Sequence, residues 1–327
     1  MRRLSYIVLT LVFVACQRVP DIEMTVHSCA PMPSARASTA VAVVGDEVYV
    51  FGGRNEKDSL LRDIWRYSTT TDQWDSVGVM PMCPRVNATA CAQGGKIYVG
   101  LGFNGLYGRD SSYRRDWWEY APQTGQWKQL ADYPNLYTDR AVCFREDGRL
   151  LVGYGFCWNY RRDMFQYDIV ANRWDSIDVG AAMHAFPQRS FGGTGCTCGG
   201  RHFYGTGYYG GSLDWWGELS VGEDGKTGQW EERTDVPGRT RTLAAACATE
   251  KYVYLTGGVH YGGVNTTEEG LQDIRRYDPL TDRWAWVGTM PEMLMNHICF
   301  AIGKRVYFGL GETVDQQINP QLYYIEE

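Results

Sequence analysis

Six recurrences of a glycine-bearing strand end, four Asp–Tyr–Trp series of one spacing, and a composition rich in rings and glycine predict an all-β fold. The fold is a six-bladed β-propeller of four-stranded antiparallel blades. The strand ends are Phe51-Gly52-Gly53, Gly100-Leu101-Gly102, Gly153-Tyr154-Gly155, Gly205-Thr206-Gly207, Thr256-Gly257-Gly258 and Gly309-Leu310-Gly311. Their last glycines lie 49, 53, 52, 51 and 53 residues apart, a period that suits propeller blades better than helical solenoids. With 14% aromatic residues and 38 glycines in 327, the chain has rings for sheet interiors and residues that tolerate positive φ for tight hairpins.

Each unit reads as four short strands. The innermost is small and apolar, as in Ala40 to Val44, because bulky side chains would collide where strands converge on an axis. The second, Val48 to Phe51 in the first unit, runs into the glycines. In the third, Asp63, Asp116, Asp163 and Asp273 each stand four residues before Tyr67, Tyr120, Tyr167 and Tyr277, and seven residues later come Trp74, Trp127, Trp174 and Trp284 at the outer strand. The fourth unit breaks this spacing with Asp214, Leu219 and Trp230. Two residues before each tryptophan sits Asp72, Gly125, Asn172, Gly228 or Asp282, types suited to a hairpin turn. The last unit stops at Glu327 without a tryptophan-led outer strand, so Ile22 to Ser28 is expected to supply it and close the ring.

Residues 1–16 read as an export signal: two arginines, an apolar run from Leu4 to Ala15, then a cysteine. Phe13-Val14-Ala15-Cys16 resembles the lipobox of bacterial lipoproteins, which implies lipidation at Cys16 and a place in the periplasm or at the outer membrane. Residues 17–327 then form one propeller domain, held to a membrane only through the lipid. A net charge of -6 and a pI near 5.5 argue against a nucleic-acid partner. Cys91, Cys143, Cys196, Cys247 and Cys299 each lie 11 or 12 residues before the second glycine of their unit. Equivalent positions in successive blades cannot all pair with one another, so these five read as small residues buried on crowded inner strands.

The glycine doublet, the Asp-x-x-x-Tyr element and the Tyr-x6-Trp spacing resemble the kelch repeat over about residues 22–327. Kelch propellers include enzymes, sugar binders and protein-docking modules, so the resemblance implies a fold more than a function.

Antiparallel order places the connections into each inner strand on one end with the loops between second and third strands. These loops are Arg54–Arg62, Phe103–Arg115, Phe156–Arg162, Tyr208–Leu213 and Val259–Gln272. The other end reads as closed by short turns such as Gly45-Asp46 and Gly94-Gly95. At the open end Arg36, Arg85, Arg140, Arg189 and Arg241 occupy the entries of five successive blades, with Asn296 or a neighbour in the sixth. This predicts a positive mouth for carboxylates, although arginines so placed can equally bond blade-edge carbonyls or the aspartates. Trp158, Tyr208 and Tyr261, among the loop aromatics, would offer faces to a sugar.

The reading is therefore a cofactor-free binding module for a glycan, an acidic peptide or an envelope protein. Galactose oxidase also carries kelch repeats, but His260 and His297, the histidines expected nearest the open face, carry no copper motif, and no metal is assigned. A cofactor-independent mutarotase is the alternative, because sialic-acid mutarotases are single kelch propellers of similar size. Glu312 resembles the acidic residue that follows a glycine motif in those enzymes, while the companion arginine is absent from Thr313 to Asn319.

Overall fold

The computed structural model describes residues 22–105, 112–135, 138–157, 159–160, 162–180, 190–263 and 268–327. Residues 1–16 with Cys16, and likewise Trp158 and Arg189, lie outside the described residues. Six four-stranded antiparallel sheets, each in the order inner, second, third, outer, make up the blades, and two short two-stranded ribbons, Phe156–Cys157 with Asn159–Tyr160 and Val259–His260 with Glu269–Gly270, stand in the loops. Blade 1 comprises Ala40–Val44, Glu47–Phe51, Asp63–Ser68 and Gln73–Val79, and blades 2 to 5 begin at Thr89, Val142, Thr194 and Ala245. Among the described residues no helix is long and apolar enough to cross a membrane.

The ring closes as the sequence predicts. Blade 6 takes Ile298–Ile302, Arg305–Gly309 and Leu322–Glu326 from the end of the chain and His27–Ser28 from its start, with His27 opposite Tyr324 and Ser28 opposite Tyr323. Just upstream, the Met24 N–H donates to Val287 O of blade 5 at 2.8 Å, so this segment ties two blades. The innermost strands adjoin in cyclic order, the first against the last. Between those two blades lies a sealed cluster that includes Val48, Val50, Tyr67, Phe300, Tyr307 and Leu322. Closure thus rests on the same apolar burial as the other blade interfaces.

The Tyr-x6-Trp spacing turns out to encode a clamp between blades. Asp72 takes φ 53° in the hairpin turn, where its Oδ1 accepts from the Tyr67 hydroxyl at 2.7 Å and from the N–H of Ala30 at 2.8 Å. Trp74 Nε1 donates to the carbonyl of the same Ala30 at 2.9 Å. Asn172 with Trp174 on Ala131, and Asp282 with Trp284 on Thr234, repeat the arrangement. Each hairpin therefore grips the chain leaving the outer strand of the preceding blade. Blade 4 departs from the expected turn at Gly228: its outer pair, Trp216–Val221 and Gly228–Arg233, is joined by a longer turn with Gly225 at φ 65°.

At the open end the second glycine of each motif lies against the entry into the inner strand. A Cβ on Gly53, at φ 93°, would stand 2.6 Å from Ala37 O, so no larger residue fits. One residue beyond that contact, Ser38, Asn87, Arg140, Gly192, Leu243 and Asn296 all adopt positive φ. Their N–H groups link blade to blade: Asn87 donates to Ser38 O, Arg140 to Asn87 O, Leu243 to Gly192 O, Asn296 to Leu243 O and Ser38 to Asn296 O, at 2.8 to 3.2 Å. A collar of backbone hydrogen bonds thereby rims the axis and sets which side chains face the mouth.

Candidate functional site

The collar corrects the expected ring of five arginines. Arg36, Arg85 and Arg241 stand two residues before it and are buried. Arg85 Nη1 and Nη2 donate to Asp116 at 2.8 and 2.9 Å, and Nη1 also donates to Leu101 O at 2.9 Å. Arg36 makes the same fork to Asp63 and Gly52 O, and Arg241 to Asp273 and Gly257 O. These three bind the aspartates of the third strands rather than line a mouth. Burial raises each of these carboxyls, but the arginine bonds and charge outweigh it and hold Asp63, Asp116 and Asp273 below the usual carboxylate range.

Arg140 belongs to a different register. Thr138 fills the position of Arg36 in blade 3, its Oγ1 donating to Tyr154 O at 3.2 Å where the arginines bond the equivalent carbonyls. Arg140 is the collar residue itself, so its guanidinium reaches the mouth. Counted back from the second glycine of each motif, Arg36, Arg85 and Arg241 stand 17 residues away and Arg140 only 15, the same two-residue offset that the collar shows. In blade 4 the residue equivalent to Arg36 is Ser190, whose hydroxyl meets the Tyr204 hydroxyl at 3.1 Å.

Around Arg140 the structure assembles a continuous polar network. Its Nη1 donates to Asp139 Oδ2 at 3.1 Å and its Nη2 to Asn296 Oδ1 at 3.2 Å. Asn296 Nδ2 donates to Glu312 Oε1 at 2.7 Å, and Arg54 donates to Glu312 Oε2 and to Asp58 Oδ1. Asn87 Nδ2 completes the chain on Asp139 at 3.0 Å. Asp139 is fully buried and its other oxygen, Oδ1, finds no hydrogen-bond partner among the described residues. Burial pushes its carboxyl up against the opposing pull of Arg140 and Asn87.

Aromatic rings flank this network. The Arg140 guanidinium lies 4.6 Å over the Phe191 ring, and Phe191 meets Phe156 edge-on at 5.3 Å. Tyr208, paired through its backbone with Phe191, contacts Tyr261 in a T-shaped arrangement at 6.0 Å. Burial raises the Tyr261 hydroxyl, the charges of Glu268 and Glu312 raise it further, and Arg140 opposes them. Of the site residues expected from sequence, Arg140, Glu312, Tyr208 and Tyr261 thus converge; two other loop aromatics, Phe103 and Tyr113, pack on each other at 5.0 Å and are buried.

Arg54, Phe191 and Asn296 complete the mouth. Arg54, Tyr208 and Glu312 each directly follow the second glycine of a motif, and that position pairs with the blade entry through the bridges Ala37–Arg54, Phe191–Tyr208 and Met295–Glu312. The residue after the glycines was therefore the legible signal. Below the collar an axial cavity of about 300 Å³ is lined by collar residues and the starts of the inner strands. His297 lies there with Nε2 2.8 Å from Thr256 Oγ1, away from His260, which bonds Thr240. Among the described residues no group of three potential ligands is placed to hold a metal ion.

The opposite end is not closed as expected. The long blade 4 turn leans onto blade 3, where Asp178 N–H donates to Lys226 O at 2.7 Å and the Gly228 N–H to Asp178 O at 2.8 Å. Behind it opens a polar cavity of about 1170 Å³ whose lining includes Arg149, Arg173, Asp175 and Asp224. Arg149 is spent there on Glu146 and Gln166, and Arg173 on Asp175.

Comparison with known proteins agrees with this architecture. Residues 18–211 match the KLHDC2/KLHL20/DRC7 Kelch-repeats domain. The chain is 25% identical over 271 residues to human Kelch-like protein 23, covering 82% of this chain and 44% of that protein. It is 24% identical over 288 residues to Kelch-like protein 25 of Xenopus tropicalis, covering 86% and 46%. It therefore spans less than half the length of these curated relatives. A solved structure, described as the structure of YjhT, superposes with a TM-score of 0.74 at 15% identity over 90% of this chain and 95% of that one. With its six four-stranded blades and its match to a kelch-repeat model over more than half its length, the chain belongs to the kelch-repeat β-propeller family.

Proposed function

We propose that this chain is a non-catalytic binding module of the cell envelope that holds a carbohydrate at its axial mouth. Kelch propellers in general are protein-binding modules, and the proposal concerns what this mouth selects. The observation that carries it is the Arg54–Glu312–Asn296–Arg140–Asp139 network flanked by Phe191, Tyr208 and Tyr261. Vicinal hydroxyls need donors and acceptors held side by side, and sugar C–H faces need rings. Each guanidinium is already matched by carboxylates, Arg54 by Asp58 and Glu312 and Arg140 by Asp139, which favours a neutral polyol over an acidic ligand. The leader pattern of residues 1–16 supports export and anchoring at Cys16.

The test is a glycan array followed by calorimetric titration with the purified full chain. Tyr208→Ala is expected to weaken sugar binding about tenfold or more, the loss of about 1.4 kcal/mol of contact, with little change in melting temperature, whereas Arg140→Gln should weaken it as much and also lower the melting temperature, because it leaves the buried Asp139 without its cation. Retention of an acidic peptide or an envelope protein with no glycan bound would replace the sugar by a protein ligand.

One observation favours the mutarotase alternative. Arg54, from blade 1, supplies beside Glu312 the guanidinium that is missing from Glu312's own loop. Both Glu312 oxygens are engaged, however, which suits a positioning role better than proton transfer. Saturation-transfer NMR on sialic acid separates the readings, because only an enzyme speeds anomer exchange and loses that effect in Glu312→Gln.

A further inference from the structure

We infer that the axial channel carries two disulfides between blades, Cys91–Cys143 and Cys247–Cys299, and that Cys196 remains a thiol. All five cysteines line one axial cavity of about 370 Å³. They are not equivalent positions. Cys91, Cys196 and Cys247 stand opposite Tyr98, Phe203 and Tyr254, whereas Cys143 and Cys299 stand opposite Val152 and Phe308, one residue out of register. A shift of one residue in a strand turns the side chain to the other face of the sheet. The cysteines of blades 2 and 5 therefore look forward to the next blade, and those of blades 3 and 6 look back.

The two faces meet at the same offset, 52 residues apart in each pair. Cys299 Sγ lies 2.8 Å from Cys247 Sγ, close enough that a bond of about 2.05 Å needs little movement. Cys91 and Cys143 pack into the same apolar cluster between blades 2 and 3. Cys196 also looks forward, but the residue of blade 5 at the receiving register is Ala246, so the third thiol has no mate.

Oxidation proceeds by thiol–disulfide exchange with a small disulfide donor. The thiolate of one cysteine attacks a donor sulfur and expels one donor thiolate, and its neighbour then attacks the mixed disulfide and expels the second. Each new bond thus passes two electrons and two protons to the donor, which leaves as two thiols. Burial raises the Cys143 and Cys247 thiols, so exchange within the closed ring is slow at neutral pH.

The experiment incubates the purified full chain with oxidised glutathione, blocks remaining thiols under denaturing conditions and maps unreduced peptides by mass spectrometry. The expected result is two linked pairs, 91 with 143 and 247 with 299, each bond removing two hydrogens, with Cys196 alkylated and the melting temperature raised. The rise should vanish in a variant carrying alanine at all four paired positions. Cys196→Ala serves as the second variant and should keep both bridges and the full rise. The inference is overturned if the four thiols stay alkylatable after oxidation, if Cys196 is found in a bridge, or if Cys196→Ala loses either pair.

Discussion

Arg85→Met separates a structural arginine from a binding one. The substitution keeps an apolar stem of similar length but removes the two bonds to Asp116 and the bond to Leu101 O. It strands a carboxylate whose side chain is only 21% exposed, with the Trp118 indole as a remaining donor. Breaking a buried pair from one side costs about 3–5 kcal/mol. At an unfolding entropy of ~2.1 cal/mol/K per residue over roughly 300 residues, that becomes a fall of about 5–8 °C in melting temperature. The pH dependence has a definite sign. In the parent, Asp116 is held below its unfolded value, so its contribution is complete above that value, ~3.9, and is lost as pH falls through the folded pKa. In the variant the carboxyl retains the burial and lacks the arginine, so protonation relieves the strain and the two proteins converge in acid. The assay is calorimetric melting of both proteins from pH 7 to pH 3. A fall under about 2 °C at pH 7, below the range worked above, would refute the pin role. So would a gap that widens in acid.

Two further outcomes follow from the same structure. Deleting residues 22–28 removes the outermost strand of blade 6 and the bonds of Ile22 and Met24 to blade 5; at about 1 kcal/mol per backbone bond plus the burial of Met24 and Val26, roughly 3–5 kcal/mol of stability should be lost, and a truncated chain that melts with the parent would overturn the closure. His297 is pushed down to about 3 by burial, so between pH 6.5 and pH 3 the unfolded chain binds a proton the folded one refuses and stability falls with acid by about 5 kcal/mol; His297→Gln should flatten that slope in urea titrations at stepped pH, and an unchanged slope would refute it.

The blade count, the strand order and the closing strand were legible in the sequence because each rests on local chemistry. Glycines must stand where a blade entry lies so close that a Cβ would meet it at 2.6 Å, Asp72 and Asn172 where a turn needs positive φ, and Tyr67 with Trp74 where rings seal a blade interface. Such demands are met by residue type at fixed spacing, and repetition makes them visible. Blade 4 escaped because its hairpin is longer than its neighbours, so a turn glycine sought two residues before Trp230 was found instead at Gly225.

The mouth was legible only in part. The residue types at positions 36, 85, 140 and 241 are identical, yet two residues of register decide that Arg36, Arg85 and Arg241 are buried against aspartates while Arg140 faces Asn296 and Phe191. One residue of register likewise decides that Cys247 meets Cys299 while Cys196 meets alanine. The sequence by itself determined what kind of sheet each segment makes, since that follows from periodicity and turn chemistry within some 50 residues. Which side chains come together at the axis depended on how six separately specified blades rotate against one another, and that is set by the backbone collar and the interblade clusters, contacts between residues about 50 positions or more apart that only the closed ring brings within reach.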